Sequence, residues 1–315
     1  MRTPQKSFWF NRLAREEHVR PGEVPCIASG LRTGHDTGMS RSFFRVVAAS
    51  TIGIGLLFHG IAPSVRAEAP SRAATAAFDA YLNKVEARLD QQHRSESTFV
   101  APKNLERLRS GVVLIEKLNS ADGTHVPGAM LHHWRGTAFA PGATAADFER
   151  LMRNFNSYPQ IYAPQVLRST VETNDNDRYA VTMRVRQKHV LTVVMDTAYD
   201  VHFDRLDARH GWSSSRSTAI HEIVDAGTSR ERALNEADGH GFLWRLNTYW
   251  TYEERDGGLY LQIESVSLTR AIPTGLGWAI GPFVESVPRE SLEFTLRQTC
   301  QALKHRPTSA SGGSR

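Results

Sequence analysis

The sequence is poor in cysteine and in catalytic motifs. Its only cysteines, Cys26 and Cys300, lie near opposite ends of 315 residues, and no Cys/His spacing is typical of a zinc site. The chain has no G-x-S-x-G, H-E-x-x-H or P-loop motif, and Gly275 and Gly277 lack the third glycine and the βαβ context of a dinucleotide site. We therefore expect no metal, no cofactor and no identifiable catalytic residue.

A basic surface for nucleic acid is also missing once the charges are placed along the chain. The formal net charge is +5, but nine of the 38 Lys/Arg and four of the 33 Asp/Glu lie in residues 1–67. Residues 68–315 therefore carry 29 charges of each sign. Because a polyanion-binding domain concentrates positive charge, no nucleic acid partner is expected.

Residues 46–58 form an uncharged run that is too short to span a bilayer and resembles the core of a secretory signal. This run follows a short basic segment that begins at Met39, and the small residues Val65 and Ala67 predict cleavage after Ala67. We expect residues 1–38 to be a non-native or disordered extension and residues 39–67 a signal peptide. The mature protein is then periplasmic or secreted. The alternative is a genuine N-terminal tail followed by an inner-membrane anchor at residues 46–62.

Hydrophobic periodicity indicates a helical start, a long series of strands and a terminal helix. An apolar stripe at helical spacing predicts the first helix, and residues 164–270 alternate as the strands of an antiparallel meander. A helix of about 18 residues is expected from Pro288, which suits a first turn. The stripe of the first helix consists of Phe78, Leu82, Val85 and Leu89. The expected units are an N-terminal helical segment (68–110), one domain (111–305) and a disordered tail (306–315).

This pattern predicts an α+β fold in which about six to seven antiparallel strands form a curved sheet around the long C-terminal helix, with an extra N-terminal helix. A sheet of that size twists and curls, and one helix covers its concave face incompletely. The space that remains is commonly a ligand cavity.

Two passages resemble the START/polyketide-cyclase-like (SRPBCC) superfamily of helix-grip proteins. Residues 155–169 read FNSYPQIYAPQVLRS, similar to the aromatic, tyrosine and proline passage that precedes the outgoing strand in bacterial members. Residues 275–283 and the following PRESL resemble the entry into the gripping helix. The resemblance covers about residues 140–305 and is closest to uncharacterised exported bacterial members. It implies binding of lipids, sterols, polyketides or other apolar molecules, with enzymes a minority.

The strand at Gly241–Glu254 supplies the first candidate lining residues. Its even positions, among them Trp244, Trp250 and Tyr252, fall on one face, predicted to be concave, and its odd positions are predicted to face solvent. Plain core packing and contact with an apolar ligand are equally compatible with the two tryptophans.

Charged and histidine side chains supply the next candidates. Glu264 or Arg184, if inside the sheet, would be a buried charge able to orient a ligand head group, although an exposed position is the commoner outcome. Adjacent His132 and His133 point to opposite faces and cannot share a metal. His132 shares a face with Trp134, and no acidic partner is identifiable for it.

Residues 271–284 are nearly uncharged and rich in glycine and proline. They are predicted either to form a buried short helix or to form a flexible apolar lip that contacts ligand or membrane. The complete set of candidate ligand-binding residues is Trp134, Trp244, Trp250, Tyr252, Glu264, Trp278, Phe283, Leu292 and Leu296.

These interpretations favour an exported binding or carrier protein for a lipid or other apolar small molecule, held between sheet and C-terminal helix. One alternative is a cyclase/dehydratase-type enzyme that uses the same cavity, with His132, Glu264 or Arg184 in a supporting role. Another is an envelope interaction module with a filled core and no ligand.

Overall fold

The computed structural model describes residues 69–100, 102–119, 126–188, 192–235, 237–271 and 277–304, with side chains at all of these except 98 and 277–285. The predicted extension (1–38), signal peptide (39–67) and tail (306–315) lie outside the described residues.

Within the described ranges one antiparallel sheet of nine strands forms the framework, in the order β1-β2-β9-β8-β6-β5-β4-β3, with β7 paired to the end of β6. The predicted meander is therefore confirmed, but the sheet is larger than the expected six to seven strands. The difference arises because the β1–β2 hairpin joins β9 edge to edge and the two-residue β7 extends β6. The strands are β1 (Leu114–Lys117), β2 (Ala129–Pro141), β3 (Val166–Asp175), β4 (Arg178–Lys188), β5 (Thr192–Arg205), β6 (His210–Val224), β7 (Arg232–Ala233), β8 (Arg245–Arg255) and β9 (Gly258–Arg270).

Five α-helices accompany the sheet in the described parts of the chain. The third begins at a capping box, in which Thr144 and Asp147 satisfy each other's backbone N–H groups. The fifth has 28 residues and begins well before Pro288, so the prediction of a helix of about 18 residues starting there was wrong. The apolar segment upstream continues the helix, and Pro288 removes only one backbone donor from its interior. The helices are α1 (Arg72–Gln92), α2 (Leu105–Arg109), α3 (Ala145–Arg153), α4 (Tyr158–Ile161) and α5 (Gly277–Lys304).

The second half of α5 packs on the concave face of the sheet, as the helix-grip expectation required. Its buried stripe consists of Leu292, Leu296, Cys300 and Leu303. The helix approaches Gly136 of β2 closely, since an added Cβ there would lie 2.4 Å from Leu296 Cδ1. Glycine at this position therefore lets the helix lie against the strand.

The N-terminal helix α1 packs on the opposite, convex face of the same sheet. All four residues of its predicted apolar stripe are buried, which confirms the helical periodicity. They contact side chains from β2, β8 and β9, including Leu131, Tyr249 and Val266. The odd positions of β8 are therefore covered by protein, and the prediction that they face solvent was wrong.

Candidate functional site

The concave face carries a cluster of small hydroxyl side chains in the middle of the sheet. Direct cross-strand partners share a face, and the register pairs Ser215 of β6 with Thr248 of β8, and Thr248 with Ser265 of β9. Ser265 in turn pairs with Trp134 of β2, which belongs to the core against α5. Ser267, two residues along β9, lies on the same face. We call Ser215, Thr248, Ser265 and Ser267 the hydroxyl patch.

The hydroxyl patch retains solvent-accessible surface although it lies on strands in the interior of the sheet. Ser215, Thr248 and Ser265 are partly exposed. Farther along the same strands, Trp250 and Ile263 are buried in the hydrophobic core that also contains the α5 stripe. Short side chains fill little of the distance between a sheet and the helix across it, so space for at least a water molecule remains beside them. The concave face is thus divided into a filled part and an open part.

Two larger polar side chains border the hydroxyl patch on β2. His132 is 2% exposed, and its Nε2 lies 3.2 Å from the hydroxyl of Thr269. Trp134 is 9% exposed, and its buried indole Nε1 finds no acceptor among the described residues. The ammonium of Lys117, on the neighbouring strand β1, lies 5.9 Å from the Trp134 ring centroid. The border of the patch is therefore rich in hydrogen-bond donors.

Several predicted lining residues lie on the concave side but inside its filled part. Trp250 is 5% exposed and meets the Phe148 ring edge-on at 5.2 Å between centroids. Tyr252 donates a hydrogen bond to Glu149 at 2.5 Å, and burial together with this carboxylate raises the pKa of Tyr252. Leu292 and Leu296 pack from α5 into the same core. The structure therefore brings these four residues together with Trp134 in one core, and of the five only Trp134 also borders the hydroxyl patch.

Two other predicted residues lie on the convex side. Trp244 precedes the regular pairing of β8, so the alternation of that strand does not govern its direction, and it packs beside α1. Glu264 of β9 also faces α1. Neither can line a space between sheet and α5. The side chains of Trp278 and Phe283 lie outside the described part of the structure.

Glu264 is the centre of a buried ionic cluster between α1 and the sheet. Its carboxylate accepts hydrogen bonds from Arg88, from His133 Nε2 at 2.9 Å and from Arg135 Nε at 2.8 Å. Burial by itself raises the pKa of this carboxyl. The hydrogen bond from His133 and the charges of Arg135 and Arg88 outweigh burial and lower the pKa to about 2. The cluster therefore attaches α1 to the convex face around one ionised carboxylate.

Arg184, the second candidate charge, lies on the convex face of β4. Its guanidinium binds both carboxylate oxygens of Asp196 at 2.7 Å and also contacts Glu231. The hydrogen bonds to Asp196 and Glu231 raise the pKa of Arg184. These contacts join β4, β5 and the connection after β6 away from the hydroxyl patch.

Sequence reasoning did not identify the hydroxyl patch. One signal was available, because Ser213, Ser215 and Ser217 recur at a period of two in β6 where core-facing positions are usually apolar. Recognising the patch also requires the register that places Thr248 and Ser265 beside Ser215, and that register is a tertiary property.

Among the described residues, no group of three or more His, Cys, Asp or Glu side chains is arranged to hold a metal ion. No helix within the described ranges combines the length and apolar character needed to cross a bilayer.

Comparisons with known proteins give matches among solved structures alone. No protein-family model matches the chain, and no curated protein matches it. A STAR-related lipid transfer protein from Xanthomonas axonopodis is 18% identical, with 61% of this chain and 99% of that chain covered and a TM-score of 0.40. Human STARD10 is 8% identical, with 66% and 82% covered and a TM-score of 0.40. An aromatase/cyclase from a Streptomyces species is 14% identical, with 59% and 100% covered and a TM-score of 0.39.

The architecture itself defines the class of fold. A large antiparallel sheet curves around a C-terminal helix, and α3 and α4 connect β2 to β3. The hydroxyl of Tyr162, just after α4, lies 3.0 Å from that of Thr299 in α5 and joins this connection to the long helix. The chain therefore has an α+β helix-grip architecture.

Proposed function

We propose that this protein binds an apolar or amphiphilic small molecule of lipid size between the hydroxyl patch and α5. The observation that carries the proposal is the accessible surface of Ser215, Thr248 and Ser265 at the centre of the concave face. A sheet interior with a complete core would leave these side chains buried, as Trp250 and Ile263 are.

Desolvation supplies the binding energy in this proposal. Apolar surface that leaves water is stabilised by about 25 cal/mol per Å², so a long alkyl or polycyclic ligand needs few specific contacts. Partly exposed apolar side chains at the edge of the open part, such as Leu246 and Met183, suit such a ligand. The hydroxyls can pair with polar atoms of the ligand, which avoids the cost of burying those atoms alone.

We further propose that binding takes place outside the cytoplasm, as a carrier function in the cell envelope with transient membrane contact. This part rests on the signal-like residues 39–67 and on the apolar segment 271–284. Mass spectrometry of the mature N-terminus tests it, because cleavage after Ala67 gives a protein that begins at Glu68. A peptide containing residues 8–20 would contradict the start at Met39.

A catalytic role has less support in this arrangement. Of the three side chains suggested for a cyclase or dehydratase, Glu264 and Arg184 face away from the hydroxyl patch, and His132 is paired with Thr269. General acid–base catalysis requires a titratable group within hydrogen-bond reach of the substrate.

Native mass spectrometry of protein purified from a bacterial host tests the binding proposal. We expect a co-purified lipid or amphiphile, and we expect Ser215→Leu to lower its occupancy several-fold because the larger side chain fills the open part. Ser214→Leu is the matched control, since Ser214 immediately precedes Ser215 in β6 and pairs with Tyr249 on the convex face. A protein that carries no ligand and takes up none would instead be the ligand-free interaction module.

A further inference from the structure

We infer that the ligand is an amphiphile with a carboxylate head group, and that the head group binds at Trp134 and Lys117. The inference rests on the proposed function and specifies the chemistry of one end of the same site. It begins from the indole Nε1 of Trp134, a buried donor without an acceptor among the described residues.

A buried N–H group without a partner is unfavourable, because it has lost its hydrogen bonds to water and gained none from protein. Such a group on the border of an open space indicates the position of a ligand acceptor. Trp134 meets this description, since it is more than nine-tenths buried and lies beside Ser265 of the hydroxyl patch.

The neighbours of the Trp134 ring favour an anionic acceptor over a neutral one. Lys117 Nζ lies 5.9 Å from the ring centroid, and Lys117 is the direct cross-strand partner of Trp134. Ser265 adds a hydroxyl on the other side. A carboxylate accepts hydrogen bonds through both oxygens and gains from the ammonium charge, whereas an ester or alcohol gains only the hydrogen bonds.

The position of Lys117 also provides access for the head group. The Trp134 Nε1 atom is itself covered, so a neighbouring side chain must move before a ligand oxygen can reach it. Lys117 is exposed and lies at the end of the short edge strand β1, where a long flexible side chain can change rotamer.

Trp244 provides a matched control. It has the same side chain, is also buried, and its Nε1 likewise has no acceptor in the described part of the structure. Its indole packs beside α1 on the convex face. The substitutions Trp134→Phe and Trp244→Phe therefore remove the same N–H group from opposite sides of the sheet.

The test compares the affinities of oleate, methyl oleate and oleylamine, which share one alkyl chain, by isothermal titration calorimetry on delipidated protein. We expect oleate to bind most tightly and Trp134→Phe to weaken it about tenfold or more, as for loss of a hydrogen bond to a charged group. Trp244→Phe should leave the oleate affinity unchanged. Lys117→Met should reduce the preference for oleate over methyl oleate.

One result would contradict the carboxylate site alone, and a different result would contradict the proposed function. If the three ligands bind equally and Trp134→Phe matches Trp244→Phe, the carboxylate site is wrong while apolar binding stands. If none of the three binds to the delipidated protein, the proposed function is itself wrong for these amphiphiles, and the head-group site falls with it.

Discussion

Glu264 Oε2 and His133 Nε2 lie 2.9 Å apart on the convex face, although the two residues are diagonal neighbours on β9 and β2 rather than direct partners. On its other side, His133 Nδ1 lies 2.8 Å from the hydroxyl of Tyr81 in α1. A neutral imidazole with its proton on Nε2 fits both contacts, since it accepts from the tyrosine and donates to the carboxylate. A chain of hydrogen bonds therefore runs from the N-terminal helix into the centre of the sheet.

We expect Glu264→Gln to destabilise the protein by about 3 kcal/mol, the lower end of the range for breaking a buried ionic group. The lower end applies because both arginine partners can be solvated when the carboxylate is lost. The side chain of Arg88 is 40% exposed, and that of Arg135 is 23% exposed. Urea unfolding followed by circular dichroism measures the change. Asp200→Asn, which neutralises an exposed carboxylate on β5, serves as the control and should alter stability by less than about 0.5 kcal/mol. Equal effects of the two variants would contradict a buried cluster that holds α1.

A second prediction concerns acid sensitivity through His93, the residue that caps the end of α1. Burial lowers its pKa from 6.5 to about 4, and it stacks on Trp212 at 4.6 Å between ring centroids. The unfolded chain binds this proton more readily, so stability is complete above pH 6.5 and is lost as the pH falls towards 4. The expected loss at about pH 5 is roughly 2 kcal/mol relative to neutral pH.

Comparison of urea midpoints at neutral pH and at about pH 5 checks this prediction. His93→Gln should remove most of the loss, whereas the exposed His221→Gln should retain it. Glu264 does not interfere in this window, because its stabilisation is lost only as the pH falls from 4.5 towards 2. An unchanged pH profile in His93→Gln would contradict the assignment.

The elements of this fold could be predicted from the sequence wherever one periodicity dominated. The stripe Phe78, Leu82, Val85 and Leu89 has helical spacing, and each of these side chains is buried. The alternation of the meander likewise predicted an antiparallel sheet, because successive strands separated by tight turns pair with one another.

The sequence does not show which element packs on each face of the sheet. A period of two assigns residues to opposite faces, but it does not indicate what covers either face. The odd positions of β8 look polar, yet Tyr249 donates to Glu86 at 2.7 Å and Thr251 lies 2.9 Å from His93. These partners are about 160 residues away in sequence. For the same reason the sequence does not show which face of β9 Glu264 occupies. The hydrogen bond from Arg88 of α1 places it on the convex face.

A third prediction separates core from lining at Trp250. Because this side chain packs against Phe148 inside the main hydrophobic core, Trp250→Ala should cost about 3–5 kcal/mol of stability. Trp250→Phe keeps an aromatic ring and should cost clearly less. Thermal unfolding of both variants measures the difference. Unchanged stability of Trp250→Ala together with lost ligand would show instead that Trp250 lines the ligand site.

The last prediction tests the contact between α5 and β2, on which the position of the proposed site depends. An added methyl at Gly136 would lie 2.4 Å from Leu296 Cδ1 and 3.3 Å from Leu292 Cδ2. Both are ends of flexible side chains that can give way, so Gly136→Ala should cost about 1–3 kcal/mol through overpacking. Leu296→Ala alone should cost about 2–5 kcal/mol through the cavity it leaves. In the double variant the new methyl occupies part of that cavity, so the combined loss should fall short of the sum by about 0.5–3 kcal/mol.

The matched control pairs Gly136→Ala with Leu89→Ala, which opens a cavity on the convex face under α1, and there the two losses should add. Additive losses in the Gly136/Leu296 pair as well would mean that the helix does not lie against β2 at this glycine.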